Sequence, residues 1–440
     1  MIRNFIYYPG IVYVILISTA NCQNAQFIDI MGSPNPVGSG ARALGMGGAY
    51  IGIADDATAA SWNPGCLIQL WNKEISFSIS HNLRNDSPQY PDTFISSGEY
   101  SIDVFDLNYL SVAYPFSIDG RHMIMSLNYQ TLYDFYQTHH SHYYSKEISG
   151  GLEGWWTEQL NKKGYLKALS PAFAVQITPE ISTGVSFNFF NKAFGCKFEK
   201  TFVDQFRGHF YTYPHSYKNV YKEDFDFNGE NFTFGLLWAL NPCLTIGAVY
   251  KTGFQADIHY KESHFYWKND QLLDTIIASD EDQLMNMPSS YGVGFAIRFS
   301  DAASIDLDAY KTNWQDYYIT QANGHKINPF TGNQQWKSKT KPTYQVRIGG
   351  EYLFISDKEY SIPFRCGFFY DPEPTSHQPD DFWGFSLGSG YNSGKFVFDM
   401  AYQFRWGHQV REFFLLNQKI KKNARQHSFY ISIIYHLDKK

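Results

Sequence analysis

Residues 395–406 alternate strictly. Phe396, Phe398, Met400, Tyr402, Phe404 and Trp406 fall on one side, and Lys395, Val397, Asp399, Ala401, Gln403 and Arg405 on the other. Strand side chains point to opposite faces with a period of two, so one face here is wholly apolar and the other is free to carry charge. The stretch 244–255 repeats this, with Leu244, Ile246, Ala248, Tyr250 and Phe254 against Thr245, Gly247, Lys251, Gly253 and Gln255. So does the last run, with Phe429, Ile431, Ile433, Tyr435 and Leu437 on its apolar side. The same theme predicts 14 strands, at 74–83, 103–117, 121–135, 165–177, 181–195, 224–240, 243–257, 289–299, 303–316, 342–354, 361–371, 382–391, 395–406 and 427–437.

Alternation alone also suits a soluble sandwich. The connections discriminate. Six are turn-length, among them Ser117-Ile118-Asp119-Gly120, Asn241-Pro242 and Asn392-Ser393-Gly394, and their residues are turn formers. The others, at 84–102, 136–164, 196–223, 258–288, 317–341, 372–381 and 407–426, are long and polar. Short and long connections alternate along the chain, as in outer-membrane barrels with tight periplasmic turns and long external loops. An even strand count returns both ends to the periplasm. Closure also pairs every backbone group in hydrocarbon. The expected fold is therefore all-β, a 14-stranded antiparallel transmembrane β-barrel over residues 74–440, in the outer membrane of a diderm bacterium.

Composition fits. Of 440 residues, 18% are aromatic and 44% hydrophobic, which excludes global disorder. Past the N-terminus no run approaches the ~20 apolar residues of a spanning helix. A pI near 6.2 gives no case for nucleic acid. At the N-terminus, Arg3, the apolar run Ile11 to Ile17 and the small residues Ser18-Thr19-Ala20 describe a secretory signal peptide over residues 1–20. Cys22 raises a lipoprotein alternative that Asn21 fits poorly. Cys66, Cys196, Cys243 and Cys366 are widely and irregularly spaced, which favours isolated thiols over a disulfide or zinc framework.

Residues 21–73 do not alternate. SGARALGMGGAY, from Ser39, is rich in small residues, and IADDATAASWNPG follows from Ile53. Glycine and alanine permit close packing, Asp55-Asp56 suit a helix start, and Asn63-Pro64 suits a helix end. Fourteen strands enclose more space than their own side chains fill, so this segment is expected as a plug. The stretch SGARALGMGGAYIGIADDATAASWNPGCL resembles the N-terminal hatch of the FadL/TodX family of outer-membrane hydrophobic-compound transporters. MPSSYGVGFAIRF, SIDLDAYKTNWQDY, YQVRIGGEYLF, FRCGFFYDPEP and FVFDMAYQFRWG resemble its late barrel segments. Asn63-Pro64 matches the family's hatch Asn-Pro-Ala motif, with Gly65 in place of Ala. The resemblance implies passive transport of long-chain fatty acids or aromatic hydrocarbons through a plugged barrel with a lateral exit. It makes Arg42, Asp55, Asp56, Asn63, Pro64 and Gly65 the hatch and gating residues. The same architecture includes PorV-like barrels that bind cargo in protein secretion, which is the alternative.

Other constellations have simpler readings. Gly45-Met46-Gly47-Gly48 lacks the Gly-Lys-Ser/Thr ending of a phosphate loop and reads as hatch packing. His139, His140, His142, His209 and His215 fall in predicted external loops, where a solvated surface is the simpler reading than a metal site. Asp306 and Asp308 face the lumen together, as do Asp399 and Arg405, and read as a lumen charge ladder. No nucleophile elbow is present. The expectation is no catalytic residue, no metal and no cofactor. Trp155, Trp156, Phe265 and Trp267 lie in predicted external loops as a candidate capture patch for a greasy ligand. A carboxylate head group would need a cation, for which Lys192, Lys251 and Arg347 sit on predicted strands. Expected partners are a hydrophobic small molecule, outer-membrane lipid and lipopolysaccharide, and the insertion machinery, with the protein a monomer.

Overall fold

In hydrocarbon a strand with free edges carries unpaired N–H and C=O groups, and only closure satisfies them. The computed structural model describes residues 38–89, 96–148, 152–330, 333–356, 360–375, 377–415 and 418–438. The leader expected over 1–20, Cys22 and the hatch up to residue 37 lie outside the described residues. The strands are β1 (Glu74–Pro88), β2 (Ser96–Ile118), β3 (Arg121–Asp134), β4 (Gln137–Ile148), β5 (Leu152–Gln176), β6 (Ile181–Phe190) and β7 (Lys197–Phe210). They continue as β8 (Tyr213–Asn241), β9 (Leu244–Lys251), β10 (Phe254–Lys268), β11 (Gln271–Met287), β12 (Ser290–Ser300), β13 (Ala303–Thr312), β14 (Tyr318–Thr320) and β15 (Lys326–Ile327). The last five are β16 (Thr343–Ile355), β17 (Ser361–Tyr370), β18 (Phe382–Asn392), β19 (Phe396–Leu415) and β20 (Gln418–His436).

Fourteen of these form the wall. β1, β2, β3, β5, β6, β8, β9, β12, β13, β16, β17, β18, β19 and β20 pair antiparallel in that order. β20 returns to β1, with Glu74 opposite His436 and Ile79 opposite Ile431. The barrel is closed. All six short turns lie at one end. The β2–β3 turn uses Asp119 (φ 50°) and Gly120 (φ 75°), the left-handed pair of a two-residue hairpin. On β16, Tyr344, Val346 and Ile348 face out while Thr343, Gln345 and Arg347 are buried inward. No helix among the described residues is long and apolar enough to cross a membrane.

The structure corrects the long connections. Residues expected as polar loops at 136–164, 196–223, 258–288 and 407–426 are largely strands, including β4, β7, β10, β11 and the upper parts of β5, β8, β19 and β20. The pairing continues there, β4 with β2 and β5, β7 with β5 and β8, and β10 with β8 and β11. Above the bilayer a strand's outer face need not be apolar, so the period-two hydrophobic signal fades while the ladder persists.

Several wall columns break where this raised part begins. β3 passes into β4 through residues 135–136, β6 into β7 through 191–196, β9 into β10 through 252–253, and β11 into β12 through 288–289. A break can shift which parity points inward. Gly247, Val249 and Lys251 face in on β9, yet Ala256, Ile258 and Tyr260 do so on β10. Phe254, expected on the outer face with Tyr250, therefore packs inside against Phe190, and Gln255, expected to face in, is exposed.

Candidate functional site: the plugged lumen

Residues 38–73 fill the lumen, held by close backbone packing and by buried charge. Two short helices, α1 (Ala41–Gly45) and α2 (Ala59–Trp62), are joined by turns whose residues are almost all buried. Seven wall strands present a glycine where the hatch backbone passes: Gly184, Gly235, Gly247, Gly294, Gly349, Gly367 and Gly388. A Cβ on Gly349 would lie 2.1 Å from the Met46 carbonyl oxygen, and one on Gly367 would lie 2.3 Å from the Gly47 nitrogen. Both are well inside contact distance, so the wall is smooth where the plug leans on it. Gly65 belongs to this seam. A Cβ there would come within 2.9 Å of the Gly235 backbone, so glycine at this position matches a tight approach.

Charge does the rest. Arg42 is gripped from two sides. Its Nε and Nη2 donate to Glu351 on β16 at 3.1 and 2.9 Å, and its Nη1 pairs with Asp55. Glu351 also accepts from Arg365 Nε at 2.5 Å, and Arg365 donates to Asp399 at 2.6 Å. Higher up, Arg347 Nη1 donates to the Gly47 carbonyl at 2.8 Å, and its Nη2 lies 3.5 Å from Asp371. Arg405 and Arg84 converge on Glu373 at 2.7 and 2.6 Å. Such buried arrays define a register, because an uncompensated member is costly. Asp399 and Arg405 thus join a ladder, as expected.

The other predicted hatch residues act locally. Asp56 accepts from Thr58 N at 2.8 Å and from Tyr50 Oη at 2.9 Å; it fixes the turn before α2, while Asp55 serves Arg42. Asn63, fully buried, donates Nδ2 to both Ile51 O and Leu236 O at 2.9 Å and accepts from Gly65 N at 3.1 Å. It therefore bolts the hatch to itself and to β8. Pro64 follows, with its carbonyl against Gly184. The Asp306–Asp308 reading needs correction, because among the described residues no Lys or Arg forms an ion pair with either. Asp308 Oδ2 accepts from the Tyr50 and Ile51 amides at 2.6 and 2.9 Å, and the Asp306 carboxylate has no hydrogen-bond partner among the described residues.

Above the hatch lies a polar belt and above that an aromatic cluster. In the belt, Asn188 donates to Asn231 Oδ1 at 2.8 Å and to Thr233 Oγ1 at 3.3 Å, and Gln130 donates to Ser170 and Asn188. The cluster gathers Tyr133, Phe135, Phe190, Phe198, Phe225, Phe227, Trp314 and Tyr317 with Met285 and Met287. Phe190 and Phe254 stack at 4.9 Å, and Phe135 meets Phe198 edge-on at 5.1 Å. Along β6 the cluster residue Phe190 lies four residues above Ser186, whose hydroxyl donates to the hatch carbonyl of Ala60, about 13 Å at strand rise. Sequence reading missed it. Some members, such as Phe190 and Phe198, come from the broken columns, others from the unbroken β8 and from the segment after β13, so no single strand displays them as a group.

The remaining predicted residues are dispersed. Row pairing places Trp155 and Trp267 on one face of the raised extension, and Trp156 is buried on the other against Phe206 and Tyr217. Phe265 and Trp267 stack at 6.0 Å. The four do not converge on one patch. His139 is buried while His142 stacks on Trp155 at 4.5 Å, and the described residues contain no group of three metal-type ligands. Cys66, Cys196, Cys243 and Cys366 are free thiols.

A closed barrel with a latched hatch and an aromatic cluster above it meets its match in sequence. Residues 37–413 fit the family described as outer membrane protein transport protein (OMPP1/FadL/TodX). The chain belongs to the FadL/TodX family. Solved structures share the fold at low identity. A Pseudomonas aeruginosa FadL homologue is 13% identical, covering 92% of this chain and 99% of its own, with a TM-score of 0.62. The Pseudomonas putida toluene transporter TodX is 13% identical over 92% and 100%, with a TM-score of 0.60. The CymD monoaromatic hydrocarbon channel is 14% identical over 92% and 99%, with a TM-score of 0.55. No curated protein matches by sequence. As a FadL/TodX protein, the chain is an outer-membrane β-barrel transporter of hydrophobic compounds.

Proposed function

We propose that this protein passes hydrophobic molecules of the fatty-acid or aromatic-hydrocarbon kind passively into the outer membrane. The ligand enters from outside, occupies the aromatic cluster above the hatch, and leaves sideways through the wall at the break between β3 and β4. Hatch movement gates the polar space below. One observation carries the reading: a buried aromatic cluster lies above the polar belt that caps a plug held by polar latches. A greasy solute gains about 25 cal/mol for each Å² of apolar surface it buries there, whereas an ion would gain nothing. Three features support an exit at residues 135–136: the ladder to β5 shifts between Thr131 and Tyr133, Phe135 turns fully inward, and the column resumes only at Gln137.

The exit has a direct test. Tyr136 and Tyr165 face each other across this break with ring centroids 5.0 Å apart. In a Cys196→Ser background, Tyr136→Cys with Tyr165→Cys is expected to form a staple under oxidation. Uptake of a labelled hydrophobic substrate by whole cells should then fall by about tenfold and recover on reduction, as for a locked gate. Equal uptake in both states, with the staple verified by mass spectrometry, would place the exit elsewhere.

A further inference from the structure

Above the bilayer the ladder runs through β20, β1, β2, β4, β5, β7, β8, β10 and β11, and there it stops. β10 pairs with β11 from Phe254 opposite Met287 up to Lys268 opposite Gln271. On its other side β11 meets β14, with Leu284, Met285 and Asn286 opposite Thr320, Ile319 and Tyr318. Over residues 271–283 no strand among the described residues pairs with that side, which leaves a free edge of roughly 40 Å at strand rise. Its main-chain N–H and C=O groups that point away from β10 form an open row, the template for one more strand.

Exposed edges are ordinarily blunted by lysine, proline or shortness. β11 is 17 residues long and contains no Lys, Arg or Pro. Leu272, Leu273, Ile276 and Ile277 are all exposed, the last to 63%. Below them come Asp280, Glu281 and Asp282. Asp280 lies 3.3 Å from His259 and 4.0 Å from Lys261, and Asp282 lies 2.9 Å from His259, yet the Asp282 side chain stays 91% exposed. Two bulges, where β11 carries Leu273 and Ala278 as extra residues, twist its upper half. Residues 279–283 keep the regular register that continues into the β14 pairing.

We infer that the β11 edge is a docking site for an extended, cationic and apolar segment of another polypeptide, which adds as a strand in the column that β14 begins. Two features select this occupant. The pairing with β14 shows the edge already accepting an antiparallel strand, so the newcomer continues an existing seam by strand addition. The charge is one-sided, since Asp274, Asp280, Glu281 and Asp282 stand on β11 without a basic residue, and opposite charges across a ladder favour Lys or Arg on the incoming strand. Apolar side chains of that strand cover Ile276 and Ile277. A second copy of this chain does not fit. It would bring the same four carboxylates, and like charges opposite one another destabilise a strand pair. Barrel strands also tilt by about 35–45° from the membrane normal, so two such edges in one membrane would cross at about 70–90° across a two-fold axis instead of aligning. The site is independent of what the lumen carries.

The test uses the purified full-length protein in a neutral detergent and three fluorescent peptides of equal length. One alternates Lys with Val, one alternates Glu with Val, and one is the Lys–Val peptide with alternate backbone nitrogens methylated. Fluorescence anisotropy should show the plain Lys–Val peptide binding at least about tenfold more tightly than either control, the scale of a few cross-strand pairs with their main-chain bonds. The double variant Ile277→Lys with Asp282→Lys should weaken that peptide by about tenfold, as two cross-strand pairs turn unfavourable, while unheated-gel migration stays that of a folded barrel. Equal binding of the methylated peptide would reduce the contact to charge attraction and overturn strand addition. No binding of the Lys–Val peptide, or binding untouched by the double variant, would overturn the site. A wild type that sediments as a dimer, turned into a monomer by the double variant, would assign the edge to a second copy and overturn the proposed occupant.

Discussion

Glu351→Gln is expected to weaken hatch docking by about 3 kcal/mol, the low end of what losing one partner of a buried ion pair brings. Glu351 holds Arg42 of the hatch and Arg365 of the wall at once. Without its charge, Arg42 keeps Asp55 and Arg365 keeps Asp399, which is why the low end applies. At about 1.4 kcal/mol per tenfold, the undocked population rises by roughly two orders of magnitude. In planar bilayers the variant should show frequent ion-conducting openings, and residues 38–73 should become sensitive to limited proteolysis. Arg42→Gln should behave alike. A variant as silent and protected as the wild type would mean that the hatch is held by packing alone.

Gly349→Val tests the packing. Its Cβ would lie 2.1 Å from the Met46 carbonyl oxygen and 2.8 Å from the Met46 Cβ, so the hatch must move away from β16. Overpacking of this kind costs about 1–3 kcal/mol even when the surroundings relax. Here relaxation carries Met46 and Gly47 off their seats and breaks the Arg347 bond to the Gly47 carbonyl. The barrel's outer face is untouched, so the variant should still migrate as a folded barrel on unheated gels. It should nevertheless sensitise cells to large hydrophilic antibiotics. Unchanged sensitivity with normal folding would show that the wall tolerates a side chain there.

The barrel was legible because lipid outside and polar groups inside impose an uninterrupted two-residue rhythm. Tyr344, Val346 and Ile348 against Gln345 and Arg347 display it plainly. Three tight turns fall where Asp119-Gly120, Asn241-Pro242 and Asn392-Ser393-Gly394 announce them. The hatch was legible from its small residues, and its pairing of Arg42 with Asp55 is local in sequence. Its wall partners were not. Glu351 lies 309 positions from Arg42, and nothing in the pattern of β16 distinguishes that carboxylate from other inward polar groups. The raised strands were hidden for the opposite reason, since His139, His140 and His142 alternate without an apolar face once the strand leaves the bilayer. Part of the aromatic cluster was hidden by the breaks, where Phe254 keeps the rhythm of β9 on paper but turns inward in space.

Proteoliposomes carrying the wild-type protein offer the most direct measurement, with hydrophobic uptake and ion conductance recorded on the same preparation. A plugged barrel with an apolar path predicts faster entry of a long-chain carboxylate than protein-free vesicles show, alongside no steady ionic current. Steady open-pore currents, or carboxylate entry no faster than through lipid alone, would contradict it.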